Sequence, residues 1–233
     1  AGGASNAWAL SGDRTGSGKP LLANDPHLGV ALPGTWYMAR MEAPGLDVAG
    51  ATAPGVPFVI LGHNRHIAWG FTSSEADVED LFIETPDPAD PARYLIPGGS
   101  AAFDTREEAI GVEGQEPVLL TVRETRHGPV VSDALELSDQ DRTGDAVLAL
   151  SAPYLRHEDR SAAALWALNR AQNWAEFEAA LADFTAVQQN IFYADTEGHI
   201  GFVSPGSLPI REGGDGFLPA DGASGRGDWT GFI

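Results

Sequence analysis

SAAALWALNRAQNWAEFEAALADF, residues 161–184, is the stretch of this chain that reads most clearly as helix. Ser161–Asn169 is built mostly of strong helix formers. Asn173 has the side chain of an N-cap, Glu176 stands three residues on, and Phe177, Leu181 and Phe184 follow on one face. Outward from this pair the pattern changes on both sides. Towards the C-terminus, Gln189–Ala194 and Ile200–Val203 read as strands around an Asp195–His199 turn, and the stretch from Pro205 reads mostly as loop. Towards the N-terminus, Val118–Arg123 and Ala146–Leu150 read as strands, and residues 86–101, rich in Pro, Asp and Gly, as a loop. Earlier still come short apolar runs: Ala7–Leu10, Leu21–Leu22, Tyr37–Met41, Val48–Ala53, Phe58–Leu61 and Val78–Ile83. Turn formers punctuate them, among them Ser11-Gly12-Asp13, Asn24-Asp25-Pro26 and Gly62-His63-Asn64-Arg65. Many strands, a helical pair and strands again predict an α+β fold with an extensive antiparallel sheet.

Composition narrows the function. The chain has 233 residues, 43% of them hydrophobic, enough for one large domain with a sizeable core. The 28 Gly and 16 Pro, with 20% charged residues, suit a loop-rich β enzyme better than a disordered segment. A formal net charge of -19 argues against nucleic acid and anionic membrane surfaces as partners. There is no cysteine, which excludes a disulfide framework and a thiol nucleophile. No run approaches ~20 apolar residues, and the start shows no signal peptide.

The chemistry begins near the start, in Gly2-Gly3-Ala4-Ser5-Asn6-Ala7-Trp8. One reading is a flexible tail leading into a first strand. The other is a serine that becomes the first residue of a chain. Small residues before it let a precursor adopt the strained turn that self-cleavage requires. The freed α-amine, with a reference pKa of ~7.7–8.0, is then a base within reach of the same residue's hydroxyl.

Ser5-Asn6-Ala7-Trp8, followed by Gly18-Lys19-Pro20-Leu21-Leu22-Ala23-Asn24-Asp25-Pro26-His27-Leu28, resembles the start of the catalytic β chain in the penicillin-acylase family of N-terminal-nucleophile hydrolases. Gly62-His63-Asn64 with Ile67-Ala68-Trp69-Gly70, and Tyr193-Ala194-Asp195 with Gly198-His199-Ile200-Gly201, are similar to the family in the same order. The resemblance runs across nearly the whole chain. It implies a four-layer αββα sandwich with antiparallel sheets, of which this chain is part. Residues 1–4 would end a propeptide or spacer, and residues 5–233 would form the N-terminal part of the β-chain domain. It implies a periplasmic or secreted precursor, cut into chains, in which an α chain partners this one and an N-acyl amide is hydrolysed through an acyl-Ser intermediate. Ser5 would be the nucleophile, its α-amine the base and the Ser73 backbone N–H an oxyanion donor. His27 would lie beside the nucleophile; as a residue it also suits a turn after Asp25-Pro26. As written, Ala1–Ala4 block the amine of Ser5. The family's oxyanion-hole asparagine would lie beyond residue 233.

The resemblance also implies a structural Ca²⁺, held by carboxylates of Asp77 and Asp80 and main-chain carbonyls of Glu79 and Pro209. Oxygen-only ligands suit that ion. Alternation puts Asp77 and Glu79 on one strand face and Asp80 on the other, which equally suits a solvated acidic strand end. Leu28, Leu61 and Phe71 would line an apolar acyl pocket; Leu and Phe also serve as ordinary core. Gly16-Ser17-Gly18-Lys19 is not a phosphate loop, because Asp13 and Pro20 break the pattern. His63 and His66 lack the helix and the Glu of a metallohydrolase motif. The rival from a different class is a non-catalytic, calcium-stabilised binding module.

Overall fold

The computed structural model describes residues 4–135, 144–156 and 158–233. Ala1–Gly3, most of the expected spacer end, lie outside the described residues. The chain forms two compact units: Ala1–Ala76 with His157–Ser207, and Asp77–Arg156 with Leu208–Ile233.

The first unit carries two antiparallel layers. β1 (Ala4–Leu10) and β2 (Leu21–His27) form a hairpin in which Ser5 stands opposite Pro26 and Ala7 opposite Asn24. β3 (Tyr37–Ala43), β4 (Leu46–Thr52), β5 (Leu61–His63), β6 (Ile67–Ser73), β7 (Gln189–Asp195) and β8 (Ile200–Val203) build a six-stranded sheet in the order β8-β7-β6-β5-β4-β3. Helices α1 (Ser161–Leu168) and α2 (Trp174–Leu181) cover one face of this sheet. Val48, Trp69, Ile191 and Tyr193 from the sheet pack there against Leu168, Phe177 and Leu181. Strand alternation turns Gly70 and Thr72 of β6 to the opposite face. The β1–β2 hairpin packs against β6 and β7. Helices, sheet and hairpin give the expected α+β architecture, with three of its four layers in this unit.

Local chemistry explains the elements. Asn173 caps α2, its Oδ1 accepting the Glu176 N–H at 3.0 Å, while Glu176 accepts the Gln172 N–H at 2.9 Å. The Asp195–His199 turn is closed by Asp195 Oδ1, which accepts N–H groups from Glu197, Gly198 and His199. Three expectations in this unit need correction. Gly62-His63, expected within a turn, are paired on both sides inside β5, and the turn starts only at Asn64. Phe58–Leu61 is not a strand: the strand begins only at Leu61. The Asn169 side chain takes the place of a ladder partner for Val59, accepting its N–H and donating to its carbonyl, each at 2.8 Å. Asn24-Asp25-Pro26 is not a turn but lies within β2. A two-stranded hairpin has free edges, where the missing N–H of Pro26 costs no ladder bond.

In the second unit, Asp80–Glu84 pairs antiparallel with Val147–Ser151 and parallel with Ala220–Asp221. Residues 86–101 are not a loop: Pro86–Asp87, Asp90–Ile96 and Gly99–Ala102 form a small meander whose turns are Pro88-Ala89 and Pro97-Gly98. Asp104–Ile110, exposed throughout and rich in charge, pairs along its whole length with Val118–Thr125. The strand at Val78–Ile83 starts only at Asp80, so Asp77 and Glu79 are not placed by strand alternation.

Candidate active site

Cross-strand pairs point to one face of a hairpin. Ser5, Ala7, Asn24 and Pro26 therefore share the inner face of β1–β2 and are half-buried, while Asn6, Trp8, Asp25 and His27 share the exposed outer face. On the inner side, Ser5 opens into a cavity of about 350 Å³. Ser73, at the end of β6, lies on the same cavity. Leu28, Trp36, Ile60, Leu61, Phe71, Leu165 and Phe184 supply apolar walls, and Gln189 adds a polar group. Phe71 and Phe184 meet edge to face, with centroids 6.5 Å apart. Ser5, Ser73, Leu28, Leu61 and Phe71, expected from the sequence to act together, all line this one space. Leu165, Phe184 and Val187 were not anticipated: they come from over ninety residues away, and no local pattern announces such a contact.

His27 stands on the strand paired with that of Ser5, opposite Ala4, but is not part of the cavity wall. Its Nε2 sits 2.9 Å from Asp25 Oδ2 and 3.4 Å from Asn6 Nδ2, on the outer face. The imidazole is held by its own hairpin, one strand position away from Pro26, which does reach the cavity.

The expected calcium residues lie in the second unit. Asp80 is 3% exposed, and its two carboxylate oxygens accept from Arg211 Nε at 2.7 Å and Nη2 at 3.2 Å, and from the Trp229 indole. Asp77 Oδ2 is 3.4 Å from the same guanidinium. Hydrogen bonding to Asp80 raises the Arg211 pKa above its ordinary value, against burial. The Glu79 side chain leaves this group and accepts from the Tyr154 hydroxyl at 2.8 Å; burial, then that bond, pushes the phenol up to about 12. Among the described residues no three His, Asp or Glu side chains are grouped to hold a metal. The oxygen chemistry still suits Ca²⁺. Gly216, at φ 78°, packs against this ion pair: a Cβ there would come 2.4 Å from Asp80 Oδ1 and 2.7 Å from Arg211 Nε, a closeness only glycine allows. Asp77 is half exposed, and carboxylate and carbonyl oxygens are the donor types that Ca²⁺ takes.

A second buried ionic group was not foreseen. His127, stacked on Phe82 at 3.6 Å, bridges Glu84 (2.7 Å) and Asp228 (2.9 Å), and Arg126 pairs with Asp228. Burial raises the Asp228 pKa, but bonds from Arg126 and His127 outweigh it and lower the net value. Its members lie far apart in sequence, so spacing gives no signal.

Comparison with known proteins bears on what this arrangement is. The family model described as Penicillin amidase matches residues 2–233. The chain is 36% identical over 229 residues to an acyl-homoserine lactone acylase QuiP of Pseudomonas fluorescens (strain Pf0-1), covering 98% of this chain and 28% of that protein. It is 32% identical to the penicillin G acylase of Escherichia coli, covering 98% of this chain and 26% of that one. A solved structure, a thermostable penicillin G acylase from Alcaligenes faecalis, superposes with a TM-score of 0.82 at 32% identity, over 97% of this chain and 40% of that one. The chain thus spans little more than a quarter of the length of these curated relatives. By sequence over its whole length and by fold, the chain belongs to the penicillin amidase family.

Proposed function

We propose that this chain is the nucleophile-bearing part of an amidohydrolase that cleaves an N-acyl amide through an acyl-Ser5 ester. The observation that carries this reading is that Ser5 and Ser73 lie on one apolar cavity. In the mature form the Ala4–Ser5 bond is cut. The neutral α-amine of Ser5 takes the proton of its own hydroxyl, and Oγ attacks the substrate carbonyl carbon. The Ser73 backbone N–H donates to the developing oxyanion. As the tetrahedral centre collapses, the departing amine takes the proton and leaves an acyl-Ser5 ester. Water, deprotonated by the same amine, then hydrolyses the ester. The acyl chain lies against Leu28, Leu61 and Phe71.

Relatives named as acyl-homoserine lactone acylases and penicillin acylases support an acyl amide substrate. One of them is named a proenzyme, which supports a precursor processed into chains, with an α chain as partner. A periplasmic or secreted location belongs to the same proposal. A Ca²⁺ ion would be held by Asp77 and Asp80 with the carbonyls of Glu79 and Pro209, and would supply structural charge only. The test is maturation. In the full precursor, Ser5→Ala should leave one uncut chain on intact-mass measurement. Normal cutting of that variant would sink the assignment, and loss of self-cleavage in the full-length parent would favour the non-catalytic binding module.

A further inference from the structure

We infer that Asn24 is a positioning residue: its side-chain amide ties the strand carrying Ser5 to the strand carrying Ser73, and so sets the distance between nucleophile and oxyanion donor. The inference rests on the proposed roles of Ser5 and Ser73.

Asn24 stands on the inner face of β2, opposite Ala7 and two residues before Pro26. Its Nδ2 donates to the Asn6 carbonyl at 3.0 Å and to the Phe71 carbonyl at 2.8 Å. Its Oδ1 accepts the Phe71 N–H at 2.9 Å. Both amide hydrogens and the oxygen are thereby used, and the Phe71 N–H fixes which end of the amide is oxygen. β5 pairs with β6 at Trp69 and Ala68 but not at Phe71. The primary amide therefore acts on Phe71 as a missing strand would, with the two-bond geometry of a peptide group.

The bonded positions are what give this clamp its meaning. Asn6 follows Ser5 directly, and Phe71 precedes Ser73 by two residues. One planar amide thus spans the two strands whose separation decides whether a carbonyl carbon can meet Ser5 Oγ while its oxygen meets the Ser73 N–H. Gly70 is part of the same device. A Cβ on Gly70 would come 2.8 Å from Asn24 Cβ and 3.0 Å from its Cγ and Oδ1. Only glycine lets Asn24 lie this close to β6, which is the usual meaning of a glycine inside a strand.

The change that isolates the clamp is Asn24→Asp. It keeps the shape and the acceptor for the Phe71 N–H, removes both donated bonds, and sets a carboxylate against the carbonyl oxygens of Asn6 and Phe71. Gly70→Ala attacks the same contact from the other strand and leaves Asn24 intact. In the full processed protein, Ser5 is titrated with a sulfonyl fluoride and the adduct located by mass. Turnover of an N-acyl p-nitroanilide is then counted per titrated site, so that uncut or unfolded molecules drop out. Both variants should lose about 10- to 100-fold in kcat, the scale of a sub-ångström to one-ångström misplacement, with KM within about twofold of the parent. Asn173→Ala, which loosens α2 without touching the cavity, should lower Tm and leave kcat per site unchanged. Parental kcat per site in Asn24→Asp and Gly70→Ala would overturn the inference, as would insoluble protein from both, which would make Asn24 a folding residue. A parent that takes no label on Ser5 would instead defeat the nucleophile reading.

Discussion

The proposed chemistry at Ser5 depends on one proton. The hydroxyl and the α-amine of a mature Ser5 are a few bonds apart, so a single residue provides nucleophile and base. The amine accepts a proton only when neutral. Activity should therefore rise with pH through the amine's own pKa, starting from a reference of ~7.7–8.0, whereas an unperturbed carboxylate base would give a rise several units lower. His27 is the nearest alternative, but its ring is engaged with Asp25 and Asn6 on the outer face of the hairpin. His27→Ala should keep the parental pH profile. The decisive comparison is between mature protein and a form retaining Ala1–Ala4, measured with one amide substrate from pH 6 to 9. Equal turnover would show that the amine is not the base, and the N-terminal-nucleophile reading would fall with it.

At the scale of elements, local signals were as good as their physics. The helix pair was legible because capping and a 3.6-residue period are written within a few residues. The same fact makes its stability predictable. Asn173→Ala removes the acceptor for the Glu176 N–H and should cost about 1 kcal/mol in denaturant unfolding; no loss would mean that α2 is held by packing alone. Strand positions with apolar alternation were also legible, and Ile200–Val203 appears with its predicted bounds. What failed was punctuation. Asn24, Asp25 and Pro26 are each turn formers, yet hairpin pairing overrides them, and the residue misread as a turn became the clamp between two strands. In residues 86–101 the turn formers close short hairpins instead of interrupting structure. Asp104–Ile110 carried no apolar alternation because both its faces are exposed. Of the site, Ser5, Ser73, Leu28, Leu61 and Phe71 followed from the family resemblance, since a serine after small residues is also how a plain tail reads. The far wall of the cavity, with Leu165, Phe184 and Val187, depends on chain folding back across the sheet, and no spacing encodes it. Gly70 between Trp69 and Phe71 was the one local hint of a close approach.

For the molecule as a whole, the question is what balances an excess of negative charge, -19 over the chain. In the second unit Arg211 already balances Asp80 and approaches Asp77, with its side chain only 12% exposed. An ion proposed for the same carboxylates must share them with that guanidinium, and the two contributions make different predictions. Removing both carboxylates, Asp77→Ala with Asp80→Ala, leaves a largely buried cation with the residue-77 carbonyl but without its two carboxylate partners, so thermal stability should drop whether or not calcium binds. A lower Tm alone therefore says nothing about the ion. Linkage does: a ligand bound only to the folded state stabilises by RT ln(1 + [L]/Kd), about 2.7 kcal/mol at a hundredfold excess over Kd. In the intact processed protein, chelation should lower the Tm of the parent and calcium should be found on elemental analysis. In the double variant the calcium should be gone and the response to chelator with it. If the parent's Tm ignores the chelator and both proteins carry equal calcium, the calcium proposal fails, and Arg211 remains as the cation that holds Asp77 and Asp80.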